Sequence, residues 1–327
     1  MKPVFARFIR KYGLPFIGLI LLVVPPFLKD YQQIFLAEIL IWGLFAAGFD
    51  LVFGYTGMLS FCQALFFGAG AYGTAYSIFF LKAGIWASVG FSFFVGALLA
   101  FLVGYVATRM SGHYFLIVTI VFSVLIYLVL QSGHWRWLTG GYGGRPLPTP
   151  LVPLGFTTFS FMNELVSYYF VASFVGAAYL LCRLIVCSQA GIVLQCIREN
   201  EMKACLIGYN IERVKLAIFV FAGGLSGLAG SLYSLLIRYT NLAFFEWELS
   251  GKAVVWTLLG GAGTLIGPFV GAALFWVSSE LLSTSFRSFP IVFGILLIVV
   301  VLAFPEGIVG YLKKYFRFVE TNIMTDR

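Results

Sequence analysis

GKAVVWTLLGGAGTLIGPFVGAALFWVSSELLS (251–283) is the stretch on which the fold turns. A membrane-spanning helix needs about 20 mainly apolar residues. This run is longer, and Gly260, Gly261, Gly263, Gly267 and Pro268 interrupt it. Proline removes a backbone donor and glycine weakens a helix. The run therefore reads as two short helical segments meeting at a Gly-Pro break. Outward from it, apolar runs predict spans near 13–28, 34–55, 57–80, 84–108, 114–132, 165–187, 215–237 and 289–306.

Charge tests the count. Basic residues gather at the N-terminus (Lys2, Arg7, Arg10, Lys11), in 183–215, and near the C-terminus (Lys313, Lys314, Arg317). Such clusters mark the cytoplasmic side. If 251–283 crosses twice, ten spans leave both termini and the 189–214 segment inside. If it crosses once, the basic tail falls outside, so ten crossings fit better than nine. The expected organisation is one transmembrane domain over 1–327, with six spans in 13–187, a cytoplasmic segment at 189–214 and the last spans in 215–312. The apolar run after Leu14 lacks a cleavage signature and reads as a retained first span.

Composition agrees. Hydrophobic residues make up 61% and charged residues 10% of 327, against roughly 45–50% and about 25% in soluble domains. The formal charge of +8 sits at membrane edges, which argues against nucleic-acid binding.

Enzyme chemistry finds no footing. His113 and His134 lack a Cys or carboxylate at ligand or triad spacing, and the five cysteines form no CxxC pair. No Gly run continues into the Lys of a phosphate loop. Glu38, Asp50 and Glu280 are the carboxylates within spans. Glu38 and Asp50 lie near span ends, within reach of headgroups, and Glu280 lies within reach of Arg287. They do not form a proton relay.

Small residues recur at helical spacing. Gly223 and Gly227 share a face, as do Gly263, Gly267 and Gly271, which suits close helix packing or a narrow pathway. FFGAGAYGTAYSIF (66–79) resembles LLGGAGTLIGPFVGAALF (258–275) in Gly spacing. Interrupted spans at corresponding places in two halves suggest a repeat-built transporter. CIRENEMKACLIGYNIERVK (196–215) reads as a short charged amphipathic helix and a turn at Gly208 between two spans. It suits a solvated loop or a docking element.

At these residues the chain resembles a family: the permease subunits, specifically M-type, of ATP-binding-cassette importers for branched-chain amino acids. GYTGMLSFCQALFFGAGAY (54–72) looks like the family's GYxGQxSxGHAxFxGxGAY. SGHYFLIVTI (111–120), LTGG (138–141), IRENEMKACLIGYNIERVKLAIF (197–219), LAGSLY (228–233), LLGGAGTLIGPFVGAAL (258–274) and FPEGIVG (304–310) match further blocks in order. The resemblance implies an all-α polytopic bundle of type II, vitamin-B12-importer-like architecture in a prokaryotic inner membrane.

It further implies two cytoplasmic ATPase partners carrying ATP-Mg, a sister permease or second copy, and an extracytoplasmic binding protein. This chain is then neither an enzyme nor a holder of a cofactor or metal. Arg198, Glu199, Asn200, Glu201, Ala204 and Gly208 match the family's ATPase-coupling loop. Gly57, Ser60, Gln63, Gly68, Gly70, Tyr72, Gly260, Gly261 and Gly263 are candidate pathway residues. Arg136 and Arg145 are candidate contacts for the binding protein. Met58 stands where the family has Gln, and Cys62-Gln63 where it has Gly-His. These departures leave open a different small solute, such as urea, an amide or a sugar. A channel or secondary transporter without ATPases is the remaining alternative.

Overall fold

The computed structural model describes residues 18, 21–110, 112–148, 151–154, 157–285, 294, 298 and 307–311. Of the predicted span 289–306 only residues 294 and 298 are among these; the tail lysines and Arg287 lie outside the described residues.

Among the described residues, ten helices of six residues or more carry the fold: α1 Asp30–Thr56, α2 Gln63–Phe79, α3 Ile85–Ala107, α4 His113–Gln131, α5 Glu164–Cys187, α6 Gln189–Glu199, α7 Glu201–Leu206, α8 Ile211–Ile237, α9 Trp247–Gly260 and α10 Gly267–Ser285. Five of them, α1, α3, α4, α5 and α8, are long and apolar enough to cross a membrane. The chain is an all-α membrane protein.

The two expected irregularities take definite forms. The 251–283 run is broken, with α9 ending at Gly260 and α10 starting at Gly267. The 57–80 stretch differs from its expectation as one span. α1 stops at Gly57, in the left-handed region at φ 78°, and 57–62 runs without helix until α2 begins at Gln63. At 17 and 14 residues, α2 and α9 reach only about 25 and 21 Å, short of a hydrocarbon core of about 30 Å.

The helices form two interlocked triplets. α8 packs on α2 and α3, while α1 packs on α9 and α10. The two leading helices have the same length, 27 residues, and each ends in a left-handed cap, at Gly57 and Arg238. Each is followed by a short helix and then a longer one. Each leading helix has thus exchanged triplets.

The triplets are also inverted. The C-terminal end of α1 meets Arg198 in α6, on the side where α8 begins, and Gly48, two-thirds along α1, lies against Ala222 near the middle of α8. α10 rises back to the start of α1, where Tyr31 donates to Glu280 at 2.7 Å. Glu280 thus faces Tyr31. The expected pairing of 66–79 with 258–275 is not what the structure shows: the 66–79 glycines sit in an unbroken helix, and the interruption in the first half is 57–62.

Glycines let backbones touch at the crossings. A Cβ at Gly70 would overlap the Gly227 carbonyl, and one at Gly230 would overlap the Phe67 carbonyl. Hydroxyls satisfy one another beside them: Thr74 Oγ1 lies 2.7 Å from both Ser92 Oγ and Ser231 Oγ. Trp42 joins the triplets, its ring packing on Phe67 (5.2 Å), Tyr233 (4.7 Å) and Trp256 (5.5 Å).

On the far face, 133–164 contains short strands. β1 (Arg145–Pro146) pairs antiparallel with β4 (Tyr239–Thr240) after α8. β2 (Leu151–Leu154) and β3 (Thr157–Ser160) form a hairpin.

Candidate functional site

The charged segment between α5 and α8 folds as two short helices joined at Asn200. Ser188 caps α6 by accepting from Ala190 N at 3.2 Å. Asn200 caps α7 by accepting from Lys203 N at 3.1 Å. Asn210 caps α8 by accepting from Arg213 N at 3.1 Å. Side-chain oxygens here satisfy amides that a helix start leaves unpaired. Gly208, at φ 99° and with open space around it, makes the turn before α8.

Each candidate coupling residue has a distinct place. Ala204 is buried and, with Val193 and Ile197, forms a small apolar cluster under the helices. Glu201 Oε1 accepts from Lys215 Nζ at 2.6 Å, with the lysine side chain 4% exposed and the glutamate 44%. Glu199 and Asn200 are exposed. Arg198 donates through Nη1 to the carbonyl of Gly54, at the end of α1. The Arg198 guanidinium is thus a strut from the α6–α7 segment to the end of α1.

That strut ends at the broken helix. Asp50, two turns inside α1, is fully buried. Its Oδ1 accepts from Gly263 N at 2.7 Å, and its Oδ2 lies 3.4 Å from Leu265 N, also a donor. The expectation that Asp50 reaches headgroups is corrected: it holds the 261–266 loop between α9 and α10. A carboxylate here satisfies amides that the helix break leaves unpaired. A Cβ on Gly263 would stand 3.1 Å from Arg198 Nη1, and its φ of 76° also selects glycine. Arg198, Gly54, Asp50 and Gly263 therefore form one connected set. Cavities of about 300 Å³ and about 350 Å³ open on either side of Arg198. Gly307 returns to this end, against Gly261 and the Leu258 carbonyl.

Most of the candidate pathway residues sit in packing seams. Ser60 and Gln63 are fully buried, and Gln63 Oε1 accepts from Ser226 Oγ at 2.6 Å. Gly68 meets the Phe245 ring, Gly70 meets Gly227, and Gly260 meets Gly267. Gly261 is buried in the break at φ 115°. Tyr72 donates to the Thr139 carbonyl at 3.0 Å on the far side. Of the nine, Gly57 is exposed and Gly263 half-buried. Arg136 is exposed. Arg145 is half-buried, donates to the Trp137 carbonyl at 2.7 Å and lies over the Phe79 ring, so it braces the outer loop.

Two groups escaped the sequence reading. Met202 (74% exposed), Leu206 (83%) and Ile207 (70%) stand out from α7 and its end. Large apolar side chains exposed together on one short helix are a candidate docking surface. The charge of the segment drew attention away from them. The second group is on α9, where Trp247, Glu248 and Lys252 are exposed. Only Lys252 falls within the run read as apolar; Trp247 and Glu248 stand just before it.

Comparison with known proteins fits this arrangement. A family model described as branched-chain amino acid transport system / permease component matches residues 33–304. The high-affinity branched-chain amino acid transport system permease proteins LivM of Salmonella typhimurium and Escherichia coli are each 24% identical over 312 residues, covering 89% of this chain and 73% of theirs. The Salmonella typhimurium LivH protein is 26% identical over 303 residues, covering 87% of this chain and 96% of its own. No solved structure matches. The chain belongs to the family of branched-chain amino acid transport system permease components.

Proposed function

We propose that this chain is a membrane-embedded permease subunit of an ATP-driven importer for branched-chain or similar small amino acids. It is a transport component and not itself an enzyme. The observation that carries the reading is the continuous set Arg198–Gly54–Gly263–Asp50, which ties a cytoplasmic docking helix to the break between two half-length helices. A rigid push on α6 and α7 reaches the 261–266 loop without passing through a flexible linker.

In this reading two cytoplasmic ATPases, which bind ATP-Mg, seat on Met202, Leu206 and Ile207. A sister permease or second copy closes the pathway from the other side. An extracytoplasmic binding protein docks near Arg136 on the outer loops. The family membership and the inverted, exchanged triplets support ten crossings in a type II architecture, with one domain over 1–327. The position of Gly307 beside the cytoplasmic break supports cytoplasmic termini in a prokaryotic inner membrane. Substrate sites of repeat-built transporters lie at the interface between repeats, where broken helices meet. The exposed Gly57 and the half-buried Gly263 are the candidate pathway glycines that fit this best.

The test is uptake by the assembled importer in proteoliposomes with Glu201→Arg in this chain. The variant should insert and assemble but hydrolyse ATP without uptake. Normal uptake would sink the coupling assignment. The ligand that thermally stabilises the partner binding protein decides between an amino acid and a neutral solute.

A further inference from the structure

α9 is amphipathic in an unexpected way. Ser250, Ala253, Trp256 and Thr257 are buried, while Trp247, Glu248, Lys252 and Leu258 are exposed on the opposite face. Glu248 and Lys252 are four residues apart, so their Cβ atoms are about 6 Å from each other. Neither has an ion-pair partner among the described residues.

Their depth follows from the hydrogen bonds between them. Ser250 Oγ donates to the Phe61 carbonyl and accepts from Ala64 N, both at 2.8 Å. Phe61 N in turn donates to Thr119 Oγ1 at 3.2 Å. Thr119 is about 9 Å from the cytoplasmic end of α4, and Ala64 is about 22 Å from the outer end of α2. Together these fill a hydrocarbon core of about 30 Å. Glu248 and Lys252 thus project from well inside the membrane. Charges at such depth face a water-filled space or a partner, not lipid.

We infer that Glu248 and Lys252 line the translocation pathway and bind the two ends of a zwitterionic α-amino acid, Lys252 its carboxylate and Glu248 its ammonium. This rests on the importer reading above and sharpens its substrate class. Beside the charged pair lies an aromatic one, Phe61 and Trp247, with ring centroids 6.3 Å apart. It offers an apolar seat for the amino acid's side chain. A charged head beside an aliphatic tail matches this surface. Urea or a sugar gives neither charge a partner.

The experiment is ATP-driven leucine uptake by the complete importer in proteoliposomes, with Lys252→Met or Glu248→Gln. Losing one charge-assisted contact should lower the maximal rate by about tenfold or more. Half-saturation, set by the binding protein, should stay unchanged. Lys252→Cys, in a chain carrying Cys187→Ser, Cys196→Ser and Cys205→Ser, should react with a membrane-impermeant thiol reagent in the assembled complex. Unchanged rates, or no labelling of assembled Lys252→Cys, would overturn the inference. So would full recovery in the exchanged variant Glu248→Lys with Lys252→Glu, because a mutual ion pair survives exchange. A wild-type complex that takes up no amino acid would instead overturn the importer reading.

Discussion

The Lys215–Glu201 pair gives an asymmetric prediction. Its N–O distance is 2.6 Å, and only the glutamate reaches solvent. Removing one partner of a fully buried pair costs about 3–5 kcal/mol, because the remaining charge is stranded. With Glu201 nearly half open, Glu201→Ala should cost less, about 2–3 kcal/mol. It leaves an ammonium buried beneath α7. Lys215→Met should cost about 1 kcal/mol or less, since the freed carboxylate hydrates and the methionine fills the lysine's place. The double variant should be close to Lys215→Met alone. The assay is thermal unfolding of the purified chain in detergent, alongside ATP-driven uptake by the complete importer. Glu201→Ala should lose stability and coupling together, and Lys215→Met in the same chain should restore much of the stability. Equal losses for the two single variants, or a worse one for Lys215→Met, would refute the argument that burial of the lysine sets the cost.

Three more outcomes follow from the same geometry. Gly70→Ala drives a methyl into the Gly227 carbonyl and should destabilise by about 1–3 kcal/mol, while Gly176→Ala, which meets nothing, should be neutral or stabilise by about 0.5–1 kcal/mol; detergent melting compares them. Asp50→Ala leaves the Gly263 and Leu265 amides without their carboxylate acceptor, a loss of about 1–3 kcal/mol per unsatisfied group, and protease cutting within 261–266 should rise; an unchanged cutting pattern would count against the latch. Gly143→Cys, on an open site, should label from outside intact cells, and the exposed Cys205 only after permeabilisation; the reverse pattern would invert the topology.

The sequence made the helical membrane fold legible because apolar length is a strong signal. Its spans at 84–108, 114–132 and 165–187 lie within one residue of α3, α4 and α5. The Gly-Pro break was equally plain, since Gly260 ends α9 and Pro268 is tolerated only in the first turn of α10. The break at 57–62 was not: LSFC is apolar, and what holds it out of helix is tertiary, namely Thr119 and Ser250. Asp50 was misread for a related reason. Its position near the end of a span said nothing of amides brought to it from 213 residues away. The exchange of leading helices left no local trace. At the coupling segment the motif drew attention to the charged residues, whereas the exposed apolar ones on α7 emerged only from the fold. The candidate pathway glycines were recognisable as close-approach positions. Whether such a residue faces a pathway or a neighbouring helix depends on packing that Gly spacing does not encode.

The central claim is that motion of the α6–α7 helices reaches the broken-helix loop through Arg198. It is tested most directly by measuring leucine taken up per ATP hydrolysed by the reconstituted importer, wild-type against Arg198→Met. The account predicts that the variant complex assembles and hydrolyses ATP but moves far less leucine per ATP. An unchanged ratio would contradict it.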